Sequence, residues 1–348
     1  MRKARLIFFF LIITGVCSLL FVASAKAQAT RLDLTVSPLL IDVTANPGEK
    51  VQEKFRIRNN GSQPINLIIS VNKLNQIGES GQIAPIDPKP GDSSSWVTFD
   101  KTTFKAPVKE WTDVNLNINV PKEAAFGYYY AIRITQNPTD IPQKGGAAKL
   151  VGEVIVPMLL TARKDGAVKK AKLVEFKPTN FVSEYMPVEF LTRIQNTGNV
   201  HMKIRGNIFI RGQGAKDAGI LEVNEAQGIT LPGATRAFTS SWNDGFIEMK
   251  DENENGVPKL DSQGKPKKSL SVNWDKISNF RIGKYTANLL LVYDDGTRDQ
   301  TLEGTTTFWV FPYKLIAFII LIVIGAILLI RLMLRSYINK QVKKYKGK

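Results

Sequence analysis

Asn115-Leu116-Asn117-Ile118-Asn119-Val120 decides the fold. Polar and apolar residues alternate without a break, so an extended chain puts Leu116, Ile118 and Val120 on one face and three asparagines on the other. A helix would need apolar residues three and four apart. The same period of two runs through Leu32, Leu34 and Val36, and through Ile65, Leu67, Ile69 and Val71. Turn chemistry separates the runs at Asn46-Pro47-Gly48, Asn59-Asn60-Gly61, Asn196-Thr197-Gly198 and Asp294-Asp295-Gly296. Short strands at regular turns, with no amphipathic stretch of soluble-helix length, predict an all-β ectodomain of sandwich type.

A repeat follows. Phe55 and Ile57 lead into Asn59-Asn60-Gly61, with Ile65 and Leu67 beyond; Thr192 and Ile194 lead into Asn196-Thr197-Gly198, with Met202 and Ile204 beyond. Each half later shows Gly-x-Tyr-x-Ala, at Gly127, Tyr129, Ala131 and at Gly283, Tyr285, Ala287. A Tyr opening a late strand, just after a turn glycine, resembles the tyrosine corner of immunoglobulin-like sandwiches, against a coincidence of composition. The reading is two tandem immunoglobulin-like β-sandwiches, residues 30–163 and 167–312, with 163–170 as linker. Gly61 to Gly127 is 66 positions and Gly198 to Gly283 is 85. The surplus matches a polar insertion at about 250–268 in the second sandwich. With Tyr129 as the core residue, Tyr128 and Tyr130 face outward or toward the other domain and are the candidate ligand or partner contacts, against core or interdomain packing.

Both ends are membrane-directed. Residues 1–27 hold a basic start (Arg2, Lys3, Arg5), an apolar run from Leu6 to Val22 and the small-x-small site Ala25-Lys26-Ala27, which predicts cleavage before Gln28. Leu315 to Ile330 is unbroken and apolar, so residues 313–334 read as a transmembrane helix. Phe308, Trp309, Phe311 and Tyr313 before it suit an aromatic belt, and 335–348 is a basic tail. Orientation follows from charge: ectodomain outside a plasma membrane, C-terminus in the cytoplasm. No Leu-Pro-x-Thr-Gly precedes the span, so no sortase site removes it. Most of the net charge of +16 sits in these flanks, which argues against a nucleic-acid partner.

Little here does chemistry. The single cysteine, Cys17, lies in the signal segment, and the single histidine, His201, reads as a half-exposed strand residue. Neither a triad, a zinc site nor a phosphate-binding loop can be assembled, which points away from an enzyme. One segment matches half of a calcium loop: Asp251, Asn253 and Asn255 at alternate positions, a glycine at 256 and the Val257 carbonyl. Position 12 is Ser262, with Asp261 one place early. Calcium is therefore the one candidate cofactor, against a solvated hairpin tip.

Asn46-Pro47-Gly48-Glu49-Lys50, the strand ending in Asn59-Asn60-Gly61, Val120-Pro121-Lys122 and Gly127-Tyr128-Tyr129-Tyr130-Ala131-Ile132 resemble the N-terminal domain of WxL-interacting bacterial surface proteins, most clearly over 31–135. The resemblance implies two immunoglobulin-like domains, a C-terminal membrane helix, and non-catalytic binding of peptidoglycan or another wall polymer and of partner surface proteins. The alternative is an assembly factor resembling pilus chaperones, which offer a sheet edge to a client strand.

Overall fold

In the strand Trp111–Asn119, Val114, Leu116 and Ile118 are fully buried, while Asn115 turns outward and its Nδ2 donates to Asp100 Oδ2 at 2.9 Å. Alternation thus sets which face enters the core. The structure, a computed structural model, describes residues 32–140, 152–254 and 256–346. The predicted signal segment 1–27, and Asn255 of the predicted ion loop, lie outside them. The chain is mostly β, with one C-terminal apolar helix.

In chain order the first unit holds β1 (Leu34–Ser37), β2 (Ile41–Ala45), β3 (Lys50–Asn59), β4 (Ile65–Ile77), β5 (Gln82–Ile86), β6 (Val97–Phe99), β7 (Thr103–Ala106), β8 (Trp111–Asn119), β9 (Phe126–Gln136) and β10 (Glu153–Ala162). One sheet runs β1-β3-β8-β6 and the other β2-β10-β9-β4-β5, with β7 also on β4. Phe55, Ile57 and Leu116 from the first sheet meet Leu67, Ile132 and Met158 from the second in one core. Burying side chains of this size contributes roughly 1.5–3 kcal/mol each.

The second unit holds β11 (Ala171–Pro178), β12 (Val182–Ser183), β13 (Val188–Asn196), β14 (Met202–Lys203), β15 (Arg205–Arg211), β16 (Asp217–Val223), β17 (Ile229–Thr230), β18 (Thr235–Trp242), β19 (Ile247–Asp251), β20 (Asn253–Glu254), β21 (Val257–Pro258), β22 (Lys268–Val272), β23 (Gly283–Asp294) and β24 (Asp299–Val310). Sheets β11-β13-β18 and β12-β24-β23-β15-β16 enclose a separate core of Phe190, Ile194, Trp242, Tyr285 and Phe308. The β19–β22 hairpin projects where the sequence places an insertion, but it starts at Ile247 and ends at Val272.

The two Asn turns are built alike. Asn59 Nδ2 donates to the carbonyls of Gln63 and Ala106, and its Oδ1 accepts from Gly61 N–H. Asn196 does the same with Val200, Thr230 and Gly198. Both asparagines are buried, closing the turn from inside.

The Gly-Tyr motifs are not alike. Tyr130, not Tyr129, enters the first core, with Ile132 and Ile134 continuing its face; Tyr129 lies on the opposite face. Tyr130 is fully buried with its Oη donating to Ser93 O, so it is no outward contact. Tyr285 does point into the second core, stacked on Phe308. The glycines differ too: a Cβ on Gly127 would lie 2.0 Å from Tyr129 Oη, whereas Gly283 is needed for its φ of +123°.

The helix α1 (Tyr313–Lys346) is separated from β24 by two residues, Phe311 and Pro312, and continues past the predicted end at 334. Its stretch Tyr313–Ile338 has mean hydropathy 3.1 and is long and apolar enough to cross a membrane. Phe308 is not part of an aromatic belt: it is 1% exposed and belongs to the core, because its register opposite Tyr285 turns it inward.

Candidate partner-binding edge

β1 pairs with β3 in one sheet; the chain then passes through Pro38-Leu39-Leu40 and β2 joins the other sheet beside β10. This switch comes late. β2 pairs in parallel with only Met158–Ala162, whereas β9 pairs with β10 along its whole length, Glu153–Ala162. Among the described residues, no strand pairs with the other side of Glu153–Pro157. Leu32 approaching Gly152 bounds this gap at one end and Ile41 opposite Met158 at the other. At about 3.3 Å per residue the gap spans roughly 17 Å. Val154 and Val156 turn inward against the core, and Leu39 at the switch is 78% exposed.

Among the described residues, Asp299–Phe308 of β24 is likewise unpaired on its outer side, because β12 reaches only Trp309 and Val310. Leu173 and Phe176 of β11 pack against it at Gly304, however. Several other edges are blunted. β1, β6 and β12 have four, three and two residues. β5 carries Pro85, and β16 carries Asp217, Gly219 and Glu222. β11 carries Lys172, Glu175 and Lys177, with a bulge between Leu173 and Glu175. The β18 edge receives the β4–β5 turn: Ala237 N–H donates to Glu79 O at 2.8 Å, and Gln76 Nε2 donates to Thr235 O at 3.0 Å. Short strands, charges, prolines and bulges are the usual means of keeping an edge from pairing. The open stretch of β10 has one charge, Glu153, held by Arg133 of β9. Sequence reasoning missed this edge, yet Pro157 within the apolar run Val154-Ile155-Val156 was a signal, because proline in a sheet belongs on an edge.

The two units meet beside this edge. Tyr129 Oη accepts from His201 N–H at 2.8 Å, and the two rings pack edge to face. His201 is buried, not half-exposed, and its Nε2 lies 3.6 Å from Asp42 Oδ1 of β2. The imidazole beside it holds the Asp42 carboxyl below the usual carboxylate range, and burial pushes the Tyr129 phenol up. A second tie joins Arg193 of β13 to Glu79 in the β4–β5 turn, with Arg193 Nε 2.7 Å from Glu79 Oε2. The guanidinium lowers the Glu79 pKa.

The predicted ion-loop residues lie along a hairpin. Asp251 pairs with Lys268, Asn253 with Pro258, and Val257 with Glu254. Asp261 Oδ1 accepts from the amides of Gln263 and Lys265. A ladder spreads donors along its length, where a coordinating loop wraps them round one point. Among the described residues no group of three or more His, Cys, Asp or Glu forms a metal-binding cluster. Of the predicted contact tyrosines, Tyr128 is half-buried, edge to face with Trp96 at 4.6 Å. With Tyr129, Lys73 and Asp92 it lines a cleft of about 440 Å³.

No protein-family model matches the chain, and no curated protein matches it. Among solved structures, it is similar to a chain of the chaperone–tip adhesin complex of CFA/I fimbriae, at 10% identity over 79% of this chain and 98% of that one, with a TM-score of 0.37. It is similar to a chain of the CsuC–CsuE chaperone–tip adhesion subunit complex of Acinetobacter baumannii Csu pili, at 11% identity, 78% and 97% coverage and a TM-score of 0.35. For the Pseudomonas aeruginosa CupB2 chaperone the values are 8%, 79%, 100% and 0.36.

Proposed function

We propose that this chain is a membrane-anchored, non-catalytic capture protein whose two tandem immunoglobulin-like sandwiches hold an extended segment of a partner surface protein as an added strand on β10. The observation that carries the reading is the unpaired, apolar edge of Glu153–Pro157, whose single charge is held by Arg133. Backbone hydrogen bonds along the edge supply affinity, and the alternate side chains of the incoming strand supply selectivity. α1 crosses the membrane and its basic end faces the cytoplasm, so capture takes place on the outer side.

A photo-cross-linking residue at Ile155, compared with one at Ile220 on the β16 edge, tests this in cells. The reading expects a discrete adduct with another surface protein from position 155 only, mapping to an extended segment of that protein. Equal adducts at both positions, or none at 155, would overturn it.

A wall polymer is the second reading, in line with the WxL-interacting resemblance over 31–135. The aromatic cleft of Tyr128 and Tyr129 favours it, because aromatic faces stack on sugar rings. Sedimentation of the full chain with purified peptidoglycan, lost on Tyr128→Ala, would support that reading in place of strand capture.

A further inference from the structure

At the end of the second unit from which α1 departs, large apolar side chains face outward. Trp274 is 71% exposed, Ile277 60%, Phe280 51% and Phe181 59%. Strand register locates them. Gly283 pairs with Val310, so the segment arriving through residues 274–282 lies level with Phe311 and Pro312, beside the first turn of α1. Val182 pairs with Trp309, and Phe181 O accepts the Trp309 N–H, which brings Phe181 to the same end. A groove lined by Phe246, Ile247, Phe280, Ile282, Val310 and Pro312 joins the apolar segment to the start of the helix.

No flexible spacer separates this surface from the helix. Phe311 N–H donates to Ser183 O at 2.8 Å, and Lys314 Nζ lies 2.6 Å from Glu184 Oε2. Where α1 enters a bilayer, this end of the unit must arrive with it. Of the nearby cations, Lys276 and Arg281 pair with Asp244, and Lys284 lies exposed opposite Trp309. The surface is thus mainly apolar and aromatic, with a single free lysine, which is a composition that settles at the boundary between headgroups and acyl chains.

We propose that Trp274, Ile277, Phe280 and Phe181 are seated in the headgroup region of the membrane that α1 crosses, so that the second unit is a membrane-binding module and holds the two sandwiches at a fixed attitude to the bilayer. The proposal rests on the anchor reading of α1. Its occupant is the lipid surface itself, continuous with the helix. Because the contact is apolar, it needs no anionic lipid and is insensitive to salt.

The test uses the full chain reconstituted into phosphatidylcholine vesicles, with and without lipid brominated near the glycerol end of the acyl chains. Bromine quenches tryptophan only at contact. The proposal expects quenching whose extent falls roughly twofold in Trp274→Phe and is unchanged in Trp111→Phe, at low and high salt alike. Ile324→Trp, in vesicles whose lipid is brominated near the ends of the acyl chains, reports the anchor separately, because position 324 lies about 17 Å along α1 from Tyr313. Quenching there, with equal quenching in wild type and Trp274→Phe, would overturn the membrane seat and leave the anchor standing. No quenching at Ile324→Trp would overturn both. Shielding of Trp274 that grows with protein density and not with bromine would assign the surface to a second copy and overturn the proposal as well.

Discussion

Asn196 satisfies three backbone groups that burial would otherwise leave without partners, and Asn59 does the same in the first unit. Asn196→Ala is expected to lower stability by about 2–4 kcal/mol, since orphaned buried groups lose more than the bond itself; urea unfolding checks this. Tyr129→Phe removes only the acceptor for His201 N–H, and about 1 kcal/mol is expected in the same assay. Acid acts on the junction with a defined sign. Asp42 and Glu79 have folded pKa values below their ordinary ones, the first through His201 and the second through Arg193. Their contribution is complete above the unfolded carboxylate value near 4 and is lost as pH falls through the lower folded values. The urea midpoint should therefore fall in acid below about pH 4, and Asp42→Asn should flatten part of that slope. The Asn turns were legible because their spacing repeats. The tyrosine face was not: three tyrosines in a row carry no alternation, so a one-residue slip exchanges core and surface.

Among the strands, the decisive event is the passage of the first strands from one sheet to the other. It leaves β2 opposite only half of β10. Ile155→Lys places a charge on the open edge, the device proteins use to stop pairing. The variant should fold with an unchanged melting temperature and lose the position-155 adduct's partner in co-purification. The existence of strands such as β8 and β13 was legible from alternation. The switch was not, because a period of two says which face is buried and nothing about which neighbour is paired. The β19–β22 hairpin is longer than its polar stretch suggested because Ile247, Met249, Leu270 and Val272 extend the ladder on paired positions. Asp251, Asn253 and Val257 of the spacing that reads as an ion loop lie on paired strand positions.

The whole molecule is two β units tied by Tyr129–His201 and Glu79–Arg193 and joined without a spacer to an apolar helix. Its length of apolar sequence made the helix legible, while the rigid joint depends on contacts such as Lys314–Glu184 that join positions far apart in the chain. Orientation is open to a direct check, since no cysteine follows residue 17. Ser241→Cys should react with an impermeant maleimide on intact cells, and Lys344→Cys only after permeabilisation. The central claim, capture of a strand on β10, is tested most directly by amide hydrogen exchange on the full chain, alone and with the partner recovered through position 155. Outward amides within Glu153–Val156 should exchange at least ~10-fold faster than those of Met158–Ala162 in the free chain, and become equally slow in the complex. Equal protection in the free chain, or no slowing in the complex, would contradict it.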